Sequence, residues 1–255
     1  MTSDYIAFIR ELPKSFAQIG AMLPSSPALA RALVKPIREA TGPISILEVG
    51  PGTGPFTRQI LKLMGPQDTF TICEINHRFL ERLRQNLQRD PNFQRNRDRV
   101  FFFEGPVQAL PKSTLAHRFD VIVSSLPFSN FTPETVEEIL ALFQQLTDDA
   151  GTVTFIEYLG VRKFSRVFST KEGRERADGV DAVIRRWFLK VHDEGQLRTE
   201  VSLLNVPPAL AIRFDYQGAC PRQKRVRYSF KRALLRKARL VKPRFSRDVE
   251  SNSLR

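Results

Sequence analysis

The sequence predicts an α/β protein: a doubly wound, seven-stranded, mostly parallel sheet with helices on both faces and a C-terminal antiparallel hairpin. Three observations predict it. Apolar runs alternate with amphipathic stretches of helix length from residue 44 to residue 160, the order of parallel strands joined by crossover helices. A glycine-rich turn, Gly50-Pro51-Gly52-Thr53-Gly54, joins the first run to the first amphipathic stretch. The last two strand-like runs are joined through Pro207-Pro208, a connection too short for anything but an antiparallel pair.

The elements follow in order. Residues 44–50 (ISILEVG) are a continuous apolar run bounded by turn signals, a buried parallel strand. Residues 55–64 (PFTRQILKLM) continue as a helix with Pro55 near its start. Residues 69–75 (TFTICEI) make the second strand, and Asn76 caps a helix with Phe79, Leu80, Leu83 and Leu87 on one face. Residues 100–105 and 119–128 supply the third and fourth strands. Thr132 as N-cap, Pro133 at the first position and acidic residues in the opening turn start a helix at TPETVEEILALFQQL. Residues 151–160 are the fifth strand, residues 171–187 a charged, partly helical region, and residues 199–206 and 209–216 the hairpin strands. The chain divides into an N-terminal helical segment and lid (1–40), a sheet domain (41–217) and a basic tail (218–255).

The net charge of +13 predicts a polyanionic partner, either nucleic acid or an acidic membrane face. The excess is local. Residues 218–247 hold no acid and carry Arg222, Lys224, Arg225, Arg227, Lys231, Arg232, Arg236, Lys237, Arg239, Lys242, Arg244 and Arg247. The two cysteines, Cys73 and Cys220, suggest no disulfide framework and so a reducing cytoplasm. No apolar run approaches the ~18 residues of a spanning helix, and a signal-peptide pattern is not evident, so membrane contact would be peripheral. The three histidines lack metal-ligand spacing, and no metal is expected.

In a doubly wound sheet, ligands sit beyond the carboxyl ends of the strands at the point where strand order reverses. Gly50, Gly52 and Gly54 there would let backbone approach a ligand without Cβ atoms in the way. The dinucleotide fingerprint would need a third glycine at position 55, where Pro55 stands, which disfavours a pyrophosphate. The spacing Glu48-x-Gly50-x-Gly52-x-Gly54 instead resembles the first motif of class I methyltransferases, whose Rossmann-like domain binds S-adenosylmethionine and releases S-adenosylhomocysteine. The alternative is a plain tight strand-to-helix turn. Glu74 ends the second strand, where a carboxylate can accept both ribose hydroxyls. In the resembling family the third strand leads into Gly-Asp-Ala; this chain has Gly105-Pro106-Val107, so an adenine contact falls to backbone or to Glu104. Family members acting on planar exocyclic amines carry Asn-Pro-Pro-Tyr or Asn-Leu-Pro-Tyr after the fourth strand. Here the stretch is Ser124-Ser125-Leu126-Pro127-Phe128: ring and proline remain, the amide does not. That argues against a nucleobase, though serine can still accept a hydrogen bond.

Four separated segments resemble the bacterial phospholipid N-methyltransferases, relatives by fold of the rRNA adenine dimethylases: residues 20–33, 47–57, 124–131 and 204–214. The resemblance implies stepwise methylation of phosphatidylethanolamine towards phosphatidylcholine, with Ser25 and Ser26 closing over the methionine end of the cofactor. It extends the cofactor-binding set of Glu48, the three glycines and Glu74 to Thr53, Ile75, Gly105, Pro106, Val107 and Ser124. Methyl transfer to an amine needs mostly positioning and a proton acceptor. Ser125, Glu157 and Tyr158 are the catalytic candidates; strand-end packing and a solvated acid remain alternatives for the last two. Leu126 and Pro127 would line the acceptor site, and Phe128, Phe131 and Tyr158 would offer ring faces to a quaternary ammonium. Arg162 and Lys163 would hold the lipid phosphate, or form an ordinary solvated loop.

A basic tail with Phe230, Leu234 and Val241 at helical spacing reads as an anionic-membrane contact. The stripe Tyr5, Phe8, Ile9, Leu12, Phe16 and Ile19 is either a second interfacial helix or one packed on the sheet. These readings place the protein in the cytoplasm, at the inner face of the cell membrane. Three rivals stand: an RNA or DNA adenine methyltransferase, an ornithine-lipid N-methyltransferase, and a non-enzymatic basic adaptor.

Overall fold

The computed structural model describes residues 27–113, 115, 117–128, 131–158, 171–191, 195–202 and 209–216. All lie in the first of two compact units, Met1–Ala219. Two short helices come first, α1 (Pro27–Leu33) and α2 (Lys35–Glu39). Then follow β1 (Ser45–Val49), α3 (Pro55–Leu63), β2 (Thr69–Glu74), α4 (His77–Leu87), α5 (Pro91–Asn96) and β3 (Val100–Glu104). The chain continues through a 3₁₀ turn (Val107–Lys112), β4 (Phe119–Ser124), α6 (Pro133–Leu146), β5 (Thr147–Tyr158), α7 (Lys171–Val191), β6 (Gly195–Ser202) and β7 (Ala209–Tyr216).

The sheet order is β3-β2-β1-β4-β5-β7-β6. β1, β2, β3, β4 and β5 pair in parallel. β7 runs antiparallel to both β5 and β6. Strand order reverses between β1 and β4, so the crevice at their carboxyl ends is where this architecture binds ligands.

Strand alternation divides the core. Ile46 faces α3 and α4, among Phe56, Ile60, Leu80, Leu83 and Leu87, with Leu29 and Leu33 of α1 on the same side. Leu47 and Val49 face the other way, where Phe143 of α6 and Val180, Ile184 and Trp187 of α7 cover Ile122, Val153 and Phe155. Caps fix the helix starts. Asn76 accepts from the backbone N–H groups of Arg78 and Phe79, and Thr132 accepts from that of Thr135. Phe79 is only half-buried, whereas Leu80, Leu83 and Leu87 are buried as expected.

Several boundaries differ from those the sequence predicts. β4 stops at Ser124, not 128, because the chain turns: the Ser124 hydroxyl accepts from the Leu126 N–H at 3.3 Å, and Pro127 has no N–H for a ladder. β5 begins at Thr147, four residues early, and a register shift between Phe119 and Val121 accommodates the polar start. β6 occupies Gly195–Ser202, not 199–206. It lies at the sheet edge and pairs along its whole length with β7, so its polar Gln196, Arg198 and Glu200 carry no apolar signal. α5 has no counterpart in the prediction. Its cap, Asp90 accepting from Asn92 and Phe93, followed by Pro91, was the available signal. The Pro207-Pro208 link lies outside the described residues. No helix among the described residues is long and apolar enough to cross a membrane.

Candidate functional site

Three turns are tied side by side at the carboxyl ends of the strands. The Gly50 N–H donates to the Cys73 carbonyl at 2.9 Å, that of Gly105 to the Glu74 carbonyl at 2.9 Å, and that of Ser125 to the Val49 carbonyl at 3.0 Å. The parallel ladder thus runs one residue past each strand. It brings the glycine turn, the β3 exit and the β4 exit together.

The three turn glycines have φ of 72°, 56° and 83°, backbone that an L side chain rarely adopts. Their surroundings differ. A Cβ at Gly54 would lie 2.4 Å from the Leu83 Cδ1 in the core, and one at Gly50 2.9 Å from the Leu126 Cδ2. A Cβ at Gly52 meets nothing within 4 Å. The requirement for glycine therefore has different sources at the three positions. Gly50 and Gly54 are excluded from bearing a side chain by the protein itself, and only Gly52 leaves open space over the turn.

Glu74 sits beside that space. Its Oε2 accepts from the Gly52 N–H at 3.3 Å and its Oε1 from the Asn76 N–H at 2.8 Å. Burial raises its pKa, and the backbone donors at Asn76 and Gly52 oppose the rise. Each carboxylate oxygen keeps further acceptor capacity. Glu48, on the α3 face of β1, is fully buried. Its Oε2 accepts from the Thr57 hydroxyl at 2.7 Å, while its Oε1 has no partner. Desolvation, opposed by the Thr57 bond, pushes its pKa up to about 8. Sequence reasoning assigned no role to Thr57; its place in the first turn of α3, beneath a buried acid, was the signal.

The remaining predicted residues fall as follows. Thr53 is exposed on the turn, and Ile75 is half-buried after Glu74. Gly105 and Pro106 are half-buried, and Val107 is buried as the first residue of the 3₁₀ turn. Glu104 is exposed, its Oε1 3.0 Å from the His77 Nδ1. Ser124 is fully buried and Leu126 nearly so; Pro127 is half-buried. Ser125 is half-buried, and its hydroxyl donates to the Gly50 carbonyl at 2.5 Å. Glu157 is half-buried, on the same face of β5 as Phe155. Phe128 and Phe131 correct the expectation of a cation cage: they are 4% and 3% exposed and belong to the core. The Phe128 ring lies 5.3 Å from that of Phe155, tilted by 52°. Ser25, Ser26, Arg162, Lys163, the side chain of Tyr158, the N-terminal stripe and the basic tail lie outside the described residues.

Among the described residues no group of three or more His, Cys, Asp or Glu could hold a metal ion. The arrangement suits a nucleoside. Gly52 leaves room where backbone can meet a ligand, and Glu74 is placed to accept hydrogen bonds from a sugar.

Residues 46–151 match the family model described as a methyltransferase domain. The chain is 26% identical over 171 residues to the ornithine lipid N-methyltransferase of Singulisphaera acidiphila, covering 65% of this chain and 85% of that protein. Among solved structures, it is similar to the O-methyltransferase from Bacillus cereus in complex with SAH (TM-score 0.52, 16% identity, 82% and 90% of the two chains). It is also similar to cofactor-bound Rv0187 from MTB (TM-score 0.55, 16% identity, 84% and 97%). The fold is that of the class I methyltransferases, and the match over residues 46–151 is to a methyltransferase domain, whose cofactor is S-adenosylmethionine.

Proposed function

We propose that the protein methylates the head-group amine of a membrane lipid, carrying phosphatidylethanolamine and its methylated intermediates towards phosphatidylcholine. The observation that carries this reading is the β4 exit: a serine, not an amide, stands beside the glycine turn in a Ser-Leu-Pro-Phe stretch. An amide gripping a planar exocyclic amine suits a nucleobase; a single hydroxyl suits a tetrahedral alkyl amine. The similarity to a lipid N-methyltransferase supports a lipid acceptor. That protein's printed substrate also favours a second reading, in which ornithine lipid is the acceptor.

When bound, the cofactor supplies a methyl group already activated on a sulfonium. The chain's task is placement. Glu74 would hold the ribose, Gly52 would lie under the nucleoside, and the Gly105-Pro106-Val107 backbone with Ile75 would border the adenine. Thr53 completes the proposed cofactor contacts, Ser124 being fully buried beneath the β4 exit, and Ser25 and Ser26 would cover the methionine end. Leu126 and Pro127 would border the amine. The lipid ammonium must give up a proton before it can attack, and Glu157 or Tyr158 would take it. Arg162 and Lys163 would meet the lipid phosphate. Docking at the inner face of the cell membrane is assigned to the basic tail, in which each Lys or Arg near an anionic surface adds roughly 1 kcal/mol.

Labelled S-adenosylmethionine offered with phosphatidylethanolamine liposomes, ornithine lipid and RNA in parallel tests the reading. Label in phosphatidylethanolamine supports it, and label in ornithine lipid alone selects the second reading. Label in RNA alone refutes both.

A further inference from the structure

We propose that the Ser125 hydroxyl is a fixed-polarity anchor that grips the acceptor amine through N–H in the first two methyl transfers and has nothing to grip in the third. This inference rests on the amine acceptor proposed above, and it concerns how that amine is held.

A serine hydroxyl carries one proton and two lone pairs. At Ser125 the proton is committed. Its Oγ lies 2.5 Å from the Gly50 carbonyl oxygen, and a carbonyl can only accept. The Gly50 carbonyl is itself fixed, because the Gly50 N–H is held by Cys73 and the Ser125 N–H by Val49. Leu126 fills the space beside Gly50 as well: its Cδ2 would lie 2.9 Å from a Cβ placed there. The Oγ therefore presents only acceptor capacity to its other surroundings, at a half-buried position beside the glycine turn. An acceptor attracts an N–H and repels the lone pairs of a carboxylate, phenolate or other oxygen nucleophile. The same sheet supports O-methyltransferases, so this atom gives the present chain a stated preference for nitrogen.

Counting protons on the amine carries the argument further. The reacting amine must be neutral, with its lone pair on the methyl carbon. As the N–C bond forms, the S–C bond breaks, its electron pair stays on sulfur, and nitrogen becomes an ammonium. That ammonium loses a proton before the next transfer. A neutral primary amine has two N–H groups and a neutral secondary amine one, so each can rest an N–H on Ser125 while its lone pair attacks. A neutral tertiary amine has none.

The test compares wild type, Ser125→Ala and Ser125→Thr on phosphatidylethanolamine and its mono- and dimethyl derivatives in mixed micelles, each as a single transfer. The expected result is a loss of about threefold to tenfold in kcat/KM for the first two acceptors in Ser125→Ala, the size of one neutral hydrogen bond. The dimethyl acceptor changes less than about twofold, and Ser125→Thr restores the first two. With S-adenosylhomocysteine in place of the donor, Ser125→Ala weakens binding of phosphatidylethanolamine but not of phosphatidylcholine, which has no N–H. An equal fall on all three acceptors would mean that Ser125 only supports the glycine turn, and overturns the proposal. So would no fall on any. Wild type inactive on every amine lipid would instead bring down the acceptor reading, before any variant is compared.

Discussion

Gly52→Ala, set beside Gly54→Ala, separates space kept for a ligand from space taken by the protein. Both positions have positive φ, so each alanine costs about 1–2 kcal/mol of backbone strain. At Gly54 the new Cβ would also stand 2.4 Å from the Cδ1 of Leu83, a fully buried core residue. Overpacking of that kind adds about 1–3 kcal/mol. At Gly52 the new Cβ meets no protein atom within 4 Å. Each kcal/mol lowers the melting temperature of a chain this size by about 2–4 °C. The ligand-free Gly52→Ala protein should therefore melt a few degrees early, and Gly54→Ala clearly earlier. Cofactor binding should show a different pattern. In Gly52→Ala the methyl group occupies the proposed nucleoside site, and calorimetric titration with S-adenosylhomocysteine should show at least about a tenfold loss, or ~1.4 kcal/mol. A Gly52→Ala protein that binds S-adenosylhomocysteine as tightly as wild type would refute the reasoning, because the open space over the turn would then hold something else.

Glu74→Gln removes a carboxylate placed to accept from the ribose, and should weaken S-adenosylhomocysteine binding by about 1.5–3 kcal/mol; because the amide NH2 cannot accept, one of the Gly52 and Asn76 N–H groups also loses its acceptor and the ligand-free protein should melt a few degrees early. Glu48→Gln should change the pH dependence of stability. Burial raises this carboxyl from 4.5 to about 8, so its contribution is full below pH 4.5 and is lost as the pH rises through about 8. Urea unfolding of the wild type between about pH 5 and about pH 9 should show stability falling across that window by roughly a few kcal/mol, and the glutamine variant should be flatter. An unchanged slope would mean that Glu48 is solvated. Thr57→Val leaves the second Glu48 oxygen without its donor and should cost about 1–3 kcal/mol in the same assay. Removing residues 217–255 should weaken binding to anionic liposomes and flatten its salt dependence; unchanged binding would move the membrane contact elsewhere.

Much of the fold was legible because its signals are local. The β7 run alternates onto a buried face and reads directly from the sequence. The Asn76 and Thr132 caps satisfy backbone donors within three residues. β6 was misplaced because an edge strand is held by main-chain pairing with β7, which polar side chains do not announce. The site was legible in kind but not in division of labour. The motif spacing singled out Glu48 and the three glycines, and the end of the second strand Glu74, yet neither can reveal that Leu126 and Leu83 crowd two of the glycines. Nor can they reveal that Phe128 turns its ring into the core against Phe155. The Ser125–Gly50 bond joins residues 75 positions apart, and only the β1–β4 pairing brings them into contact.

A crystal structure of the protein grown with S-adenosylhomocysteine tests the cofactor site directly. The nucleoside should lie over Gly52, with both ribose hydroxyls donating to the Glu74 carboxylate. Ligand density elsewhere, with Glu74 still bonded to backbone N–H groups alone, would contradict it.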